Sequence, residues 1–157
     1  MDEEKLNRLP ADVKKQFVKL AEKLTEKKQK TKVHDDFLTF VKHVWPEFIE
    51  GAHHKKIAEK FNDIANKKIK RLIINMPPRH TKSEFASFLL PAWMVGRRPN
   101  LKIIQSTHTT ELAIRFGRKA KTLMDSQEYK EVFDTRLRED SQAAGKWETQ
   151  QGEIYYA

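Results

Sequence analysis

Between Lys67-Lys68 and Pro77-Pro78 the chain carries one short, nearly unbroken apolar run, Arg71-Leu72-Ile73-Ile74-Asn75. A run of that length, bounded by charge on one side and proline on the other, predicts a strand buried on both faces, as in a parallel sheet. Leu101-Lys102-Ile103-Ile104-Gln105 repeats the pattern after Gly96 and the Pro99-Asn100 turn, and Ile154-Tyr155-Tyr156-Ala157 is a candidate third strand. Between the first two, Lys82 to Val95 reads as a helix with Phe85, Phe88 and Leu89 inward, which Pro91 should kink or end in its first part. Thr109/Thr110 cap a long helix with the inner stripe Leu112, Phe116, Ala120 and Leu123, and Gln127 to Phe133 continues helical. Strand, loop, helix, strand, helix opens a βαβ unit with a right-handed crossover. The expected class is α/β with a parallel sheet that is incomplete, because two certain strands make a poor sheet.

A helical segment precedes this unit. Val13, Phe17, Leu20 and Leu24 recur at i, i+4, i+7 and i+11 behind Pro10, a first-turn proline position, and Glu26 to Lys32 is expected to fray into a linker. Phe37, Phe40, Val41, Val44 and Trp45 form a short helix after Asp35/Asp36 that Pro46 stops, and Ile57, Phe61 and Ile64 mark a third up to about Asn66. The division expected is 1–33, a Lys/Glu-rich helix and linker, and 34–157, the α/β part.

Composition narrows the function classes. The net charge is +9, split +4 over 1–33 and +5 over 34–157, so no single tail carries it. The excess favours a polyanionic partner, although Lys-rich solvated helices give the same balance. There is no cysteine, which excludes disulfides, thiolate nucleophiles and Cys-ligated metals. No apolar run approaches the roughly 20 residues that cross a bilayer. Met1-Asp2-Glu3-Glu4 is too acidic for a secretory signal, so an intracellular protein without a membrane partner is expected.

The chemistry concentrates in Met76-Pro77-Pro78-Arg79-His80-Thr81-Lys82-Ser83-Glu84, between the first strand and its helix. A phosphate loop belongs there, where backbone N–H groups and a helix N-terminus face an anion. In the pattern G-x-x-x-x-G-K-[ST] the lysine reaches the β/γ-phosphates and the hydroxyl coordinates Mg²⁺. Lys82 and Ser83 supply that pair, while Met76 and Thr81 replace both glycines. Thr81 is β-branched and disfavours the positive φ that glycine permits. Pro77-Pro78 removes two donors, so the cradle must start at Arg79, whose charge would lie near the γ-phosphate. The alternative is an ordinary αβ loop that happens to be basic.

Asn75 to Ser83 resembles the P-P-R-H-G-K-S loop of large terminase subunits, the DNA-packaging motors of tailed bacteriophages. The resemblance covers about residues 35 to 157. It includes Phe37 to Ile57 with Trp45-Pro46 and His53-His54, Pro91-Ala92-Trp93, and Ser106 to Lys119 with Glu111-Leu112-Ala113 and Phe116-Gly117-Arg118. Ser126 to Phe133 and Asp140 to Thr149 fit as well. That family usually keeps glycine before the lysine, and Thr81 departs from it.

The resemblance implies the N-terminal ATPase portion of such a motor, with a P-loop NTPase-type sheet of the additional-strand class. Full-length members work as a homo-oligomeric ring at the procapsid portal in the host cytoplasm. They hydrolyse ATP to drive double-stranded DNA inward, in company with portal and small terminase subunits, and carry a C-terminal metal-dependent nuclease. Carried onto this chain, Lys82 and Arg79 are the catalytic candidates. Pro78, Arg79, His80, Thr81, Lys82, Ser83 and Glu84 would hold ATP, with Ser83 on Mg²⁺. Trp45, Phe48 and His54 are candidates for the base, and the alternative for the aromatics is core packing.

Other residues are open. Thr107, with Gln105 and Ser106, ends the second strand and either senses γ-phosphate or caps the next helix. Arg115 and Arg118, beside Lys121, are either a solvated face or the source of an arginine finger. His53-His54 should share no metal, since adjacent helical residues point about 100° apart. No apolar strand ending in Asp-Asp or Asp-Glu follows Ser83; Glu139-Asp140 follows Arg136-Leu137-Arg138 instead. The chain therefore resembles a front part or split product that should not turn over ATP at the family's rate. The runner-up is a non-catalytic basic module for nucleic-acid binding or assembly, and a helicase-type motor is weaker.

Overall fold

The computed structural model describes residues 10–143 and 145–157. The acidic start, Met1 to Glu4, and Ala144 lie outside the described residues. The fold is mixed α/β: a helical N-terminal part leads into a small four-stranded mixed sheet. No helix among the described residues is long and apolar enough to cross a membrane.

Helix α1 (Ala11–Asp35) does not fray at Glu26 but runs on across residue 33. Its last turns are anchored: Val33 is buried, the His34 carbonyl accepts the Trp93 indole N–H at 3.0 Å, and Lys30 pairs with Glu26 at 3.1 Å. The stripe upstream is not core. Val13, Phe17, Leu20 and Leu24 remain 40 to 55% exposed.

Helix α2 (Phe37–Val44) starts on Asp36, whose carboxylate accepts from the Thr39 N–H at 2.8 Å and from Asn62 at 2.7 Å. Helix α3 (Ala52–Ala65) closes with Lys67 at φ 60° and the N–H groups of Lys67 and Lys68 on the carbonyls of Ile64 and Asp63, the Schellman arrangement. Phe37 sits at the centre of the core, with ring centroids 5.1 Å from Phe61 and 5.4 Å from both Phe85 and Trp93.

Residues 71–75 depart most from expectation. They form no strand of the sheet, and their burial alternates. Leu72, Ile74 and Met76 pack on the core while Ile73 is 85% exposed. The run is extended with one covered face, because nothing packs over Ile73.

The following helix is continuous to Arg97, as α4 (Lys82–Glu84), a π-helical turn (Phe85–Leu89) and α5 (Leu90–Arg97). Pro91 does not end it. The wide turn, closed by the Leu90 N–H on the Phe85 carbonyl, lies just ahead of the proline. A wider turn relieves the clash that the proline ring makes with the preceding turn of a regular helix.

Strand β1 (Lys102–Ile104) is followed by α6 (Thr110–Asp125) and α7 (Gln127–Lys130), then β2 (Leu137–Gln142), β3 (Lys146–Thr149) and β4 (Ile154–Tyr156). The order is β1-β4-β3-β2, with β1 and β4 parallel and the two β3 pairings antiparallel. The sheet is thus mixed, and only the β1–β4 pair keeps the expected parallel sense. The buried face of α6 is Ala113, Phe116, Gly117, Ala120 and Met124, rotated from the predicted stripe because its small residues allow close approach. Trp147 stacks on Tyr155 at 4.8 Å and seats the β2–β3 hairpin on the sheet.

Candidate phosphate-binding loop

The loop lies between the extended segment and α4, where the sequence reading puts it. Arg79 has φ 63° and Thr81 has φ 58° with ψ 5°, so both occupy the left-handed region that favours glycine, Thr81 in spite of its branched Cβ. A left-handed residue followed by a right-handed one turns successive N–H groups toward one side, a concavity suited to anions. Lys82, Ser83 and Glu84 open the helix, so their N–H groups have no intrahelical acceptor.

Lys82 reaches back across the loop, its Nζ donating to the Met76 carbonyl at 3.2 Å. The ammonium is thereby held over the loop. His80 donates from Nδ1 to the Pro78 carbonyl at 2.8 Å, which tightens the turn. Pro78, Arg79, His80 and Ser83 are exposed. Glu84 is not free for a metal: both its oxygens accept from Lys119 Nζ, at 2.7 and 2.9 Å.

Beneath the loop lies His54, 5% exposed. Its Nδ1 accepts the Gly51 N–H at 2.9 Å, which leaves the ring proton on Nε2. Nε2 donates to Thr81 Oγ1 at 2.6 Å, and Oγ1 donates on to the His80 carbonyl at 2.7 Å. Burial holds the His54 imidazole below its ordinary pKa; His53 and His80 reinforce this and Glu50 opposes it. Burial and the network both favour the neutral ring.

The His53 and His54 rings do not diverge as adjacent helical positions suggest; their centroids are 3.8 Å apart. Both lie in the first turn of α3 and fold back over Gly51, where a Cβ would come within 2.9 Å of His53 Cε1. Among the described residues no three His, Asp or Glu are grouped to hold a metal.

Of the base candidates, Phe48 packs against His54 at 4.8 Å and Phe85 at 5.5 Å, while Trp45 touches Phe48 at 5.4 Å. Both polar atoms of His54 are committed, so His54 acts on the loop. Thr107 follows β1, its hydroxyl donating to the Thr109 carbonyl at 2.6 Å. Arg115 and Arg118 are exposed and line a shallow cleft with His108 and Glu111. Arg115 lies one helical turn before Lys119, the partner of Glu84, so its face of α6 is turned toward the start of α4.

Lys119 and the Gly51–His54–Thr81 chain were missed by sequence reasoning. The only signal was Gly51 and His54 at the spacing of a helix cap and its third residue. No family model, curated protein or solved structure matches this chain.

Proposed function

We propose that this chain binds Mg-ATP through residues 78–84 and is the N-terminal ATPase portion of a terminase-like DNA-packaging motor, with a P-loop-type core. The observation that carries the reading is Thr81 at φ 58° in glycine's place, immediately before a lysine bent over the loop. Lys82 would leave the Met76 carbonyl for the β/γ-phosphates. Ser83 would offer its exposed hydroxyl to Mg²⁺, and Arg79 its charge to the γ-phosphate. The residues present suit a phosphate; toward magnesium they offer the Ser83 hydroxyl, with no carboxylate of the loop free beside it. Turnover requires a carboxylate to position water, and Glu84 is tied to Lys119. Double-stranded DNA, portal and small terminase subunits, and a homo-oligomeric ring in the host cytoplasm are the partners and setting that go with this reading.

Titration calorimetry with Mg-ATP tests it. The wild-type chain should bind and Lys82→Ala should lose at least tenfold in affinity, about 1.4 kcal/mol or more. Equal, negligible binding by both would refute the reading and favour a basic assembly module.

A further inference from the structure

We propose that His54 is a positioning residue that stands in for the missing glycine, holding Thr81 in the left-handed conformation the loop uses. This rests on the proposed phosphate role for its effect on ATP, but not for the holding itself.

A threonine at φ 58° is disfavoured by its own Cβ. Left to local preference it would return to negative φ, and the N–H groups that follow would turn with it. Two hydrogen bonds oppose that return. Thr81 Oγ1 is gripped by His54 Nε2 at 2.6 Å, and it grips the His80 carbonyl at 2.7 Å. Rotation of residue 81 would break both and strand a buried imidazole N–H.

The anchor is itself fixed. His54 is held from the other side by the Gly51 N–H at 2.9 Å, and its ring packs on Phe48 at 4.8 Å and Phe85 at 5.1 Å. A glycine at 81 needs no such clamp. The hydroxyl and the histidine therefore work as a pair, and losing either should disturb the loop more when the other is present.

The test is a double-mutant cycle on the full chain over His54→Ala and Thr81→Gly, read by urea unfolding and by Mg-ATP titration. In the wild-type background His54→Ala should weaken Mg-ATP about tenfold, the scale of one lost hydrogen bond. In the Thr81→Gly background the same change should alter affinity less than about twofold. A His54 that only supports the core would weaken both backgrounds equally, and that result overturns the proposal.

Thr81→Val tests the same bond without touching the core: it keeps the branched carbon and deletes the hydroxyl. It should unfold at lower urea than either wild type or Thr81→Gly, and a midpoint equal to wild type overturns the clamp. If the wild-type chain binds no Mg-ATP, the proposed function fails and the urea midpoints decide the clamp alone. A larger His54→Ala shift with Thr81 than with glycine then supports it, and equal shifts refute it.

Discussion

Replacing Gly96 by alanine sets two effects of opposite sign against each other. Gly96 lies within α5, and by helix propensity alone alanine there should add about 1 kcal/mol. The surroundings forbid it. A Cβ at Gly96 would lie 2.5 Å from Phe133 Cδ1 and Cγ and 2.7 Å from the Tyr129 hydroxyl. Neither ring can withdraw cheaply. Tyr129 is fully buried and donates to the Ala92 carbonyl at 2.8 Å, and Phe133 is wedged against Phe40 at 5.9 Å and His34 at 5.4 Å.

Overpacking of this kind costs about 1–3 kcal/mol, and displacing the tyrosine hydroxyl adds about 1 kcal/mol more. With the propensity gain subtracted, Gly96→Ala should destabilise by about 1–3 kcal/mol, a fall in Tm of about 3–8 °C for a domain of this size. Urea unfolding followed by circular dichroism measures it, with Phe133→Leu as the background that makes room. Alanine should be much less harmful there. If Gly96→Ala raises the urea midpoint in the wild-type background, propensity has won. The packing of α5 on Phe133, and with it the seating of the helix that starts at the loop, would then be wrong.

The pH dependence should carry a signature of His54. Its pKa is lowered from 6.5 in the folded chain, so the unfolded chain binds the proton first. The contribution is full above that value and is lost as pH falls through it, by at most about 1.4 kcal/mol per pH unit. Urea midpoints of wild type and His54→Gln compared over about pH 5 to 8 should diverge on the alkaline side and converge toward acid; parallel curves refute this. Substituting glutamine singly for Val13, Phe17, Leu20 or Leu24 should change unfolding free energy by no more than about 0.5 kcal/mol, because all four are exposed. A loss of 2 kcal/mol or so at any of them would mean that the stripe is covered. Glu153 is buried and accepts from the Asn100 N–H at 3.1 Å and from the Thr149 hydroxyl. Glu153→Ala should cost about 2 kcal/mol or more by stranding both donors, and a neutral result in thermal unfolding would refute the bracket between the two turns.

Helices α2, α3 and α6 were legible because their ends are written in local chemistry: Asp36 and Thr109 accept from their own first turns, and Asn66 with Lys67 closes α3. The start of the helix at Lys82 was legible for a similar reason, since Pro77-Pro78 and the polar residues that follow mark it within nine residues. What failed was whatever depended on a covering layer. Periodicity showed that α1 has an apolar face but not that the face stays open, and it gave Ile73 a buried partner that the fold does not supply. The β2–β3 hairpin escaped notice because Arg138, Glu139 and Asp140 hide the alternation; an Arg138–Glu148 pair at 3.4 Å crosses it and the Trp147–Tyr155 stack joins it to β4, and neither is a local signal. The His54–Thr81 bond spans 27 residues and has no period at all.

Two residues at positive φ within three positions, neither of them glycine, are an expensive way to join an extended segment to a helix. Each costs about 1–2 kcal/mol, and the chain's other two non-glycine residues at positive φ, Lys67 and Asn100, stand singly in turns. Backbone strain of this kind persists where the surroundings over-determine it, and it concentrates at ligand clamps. Here the over-determination is visible on Thr81, held by His54 below and by the His80 carbonyl beside it, while Arg79 takes the second strained position with its side chain in solvent. The cost falls on the residues that set the direction of the amides ahead of Lys82, the same amides that the proposed phosphate would meet.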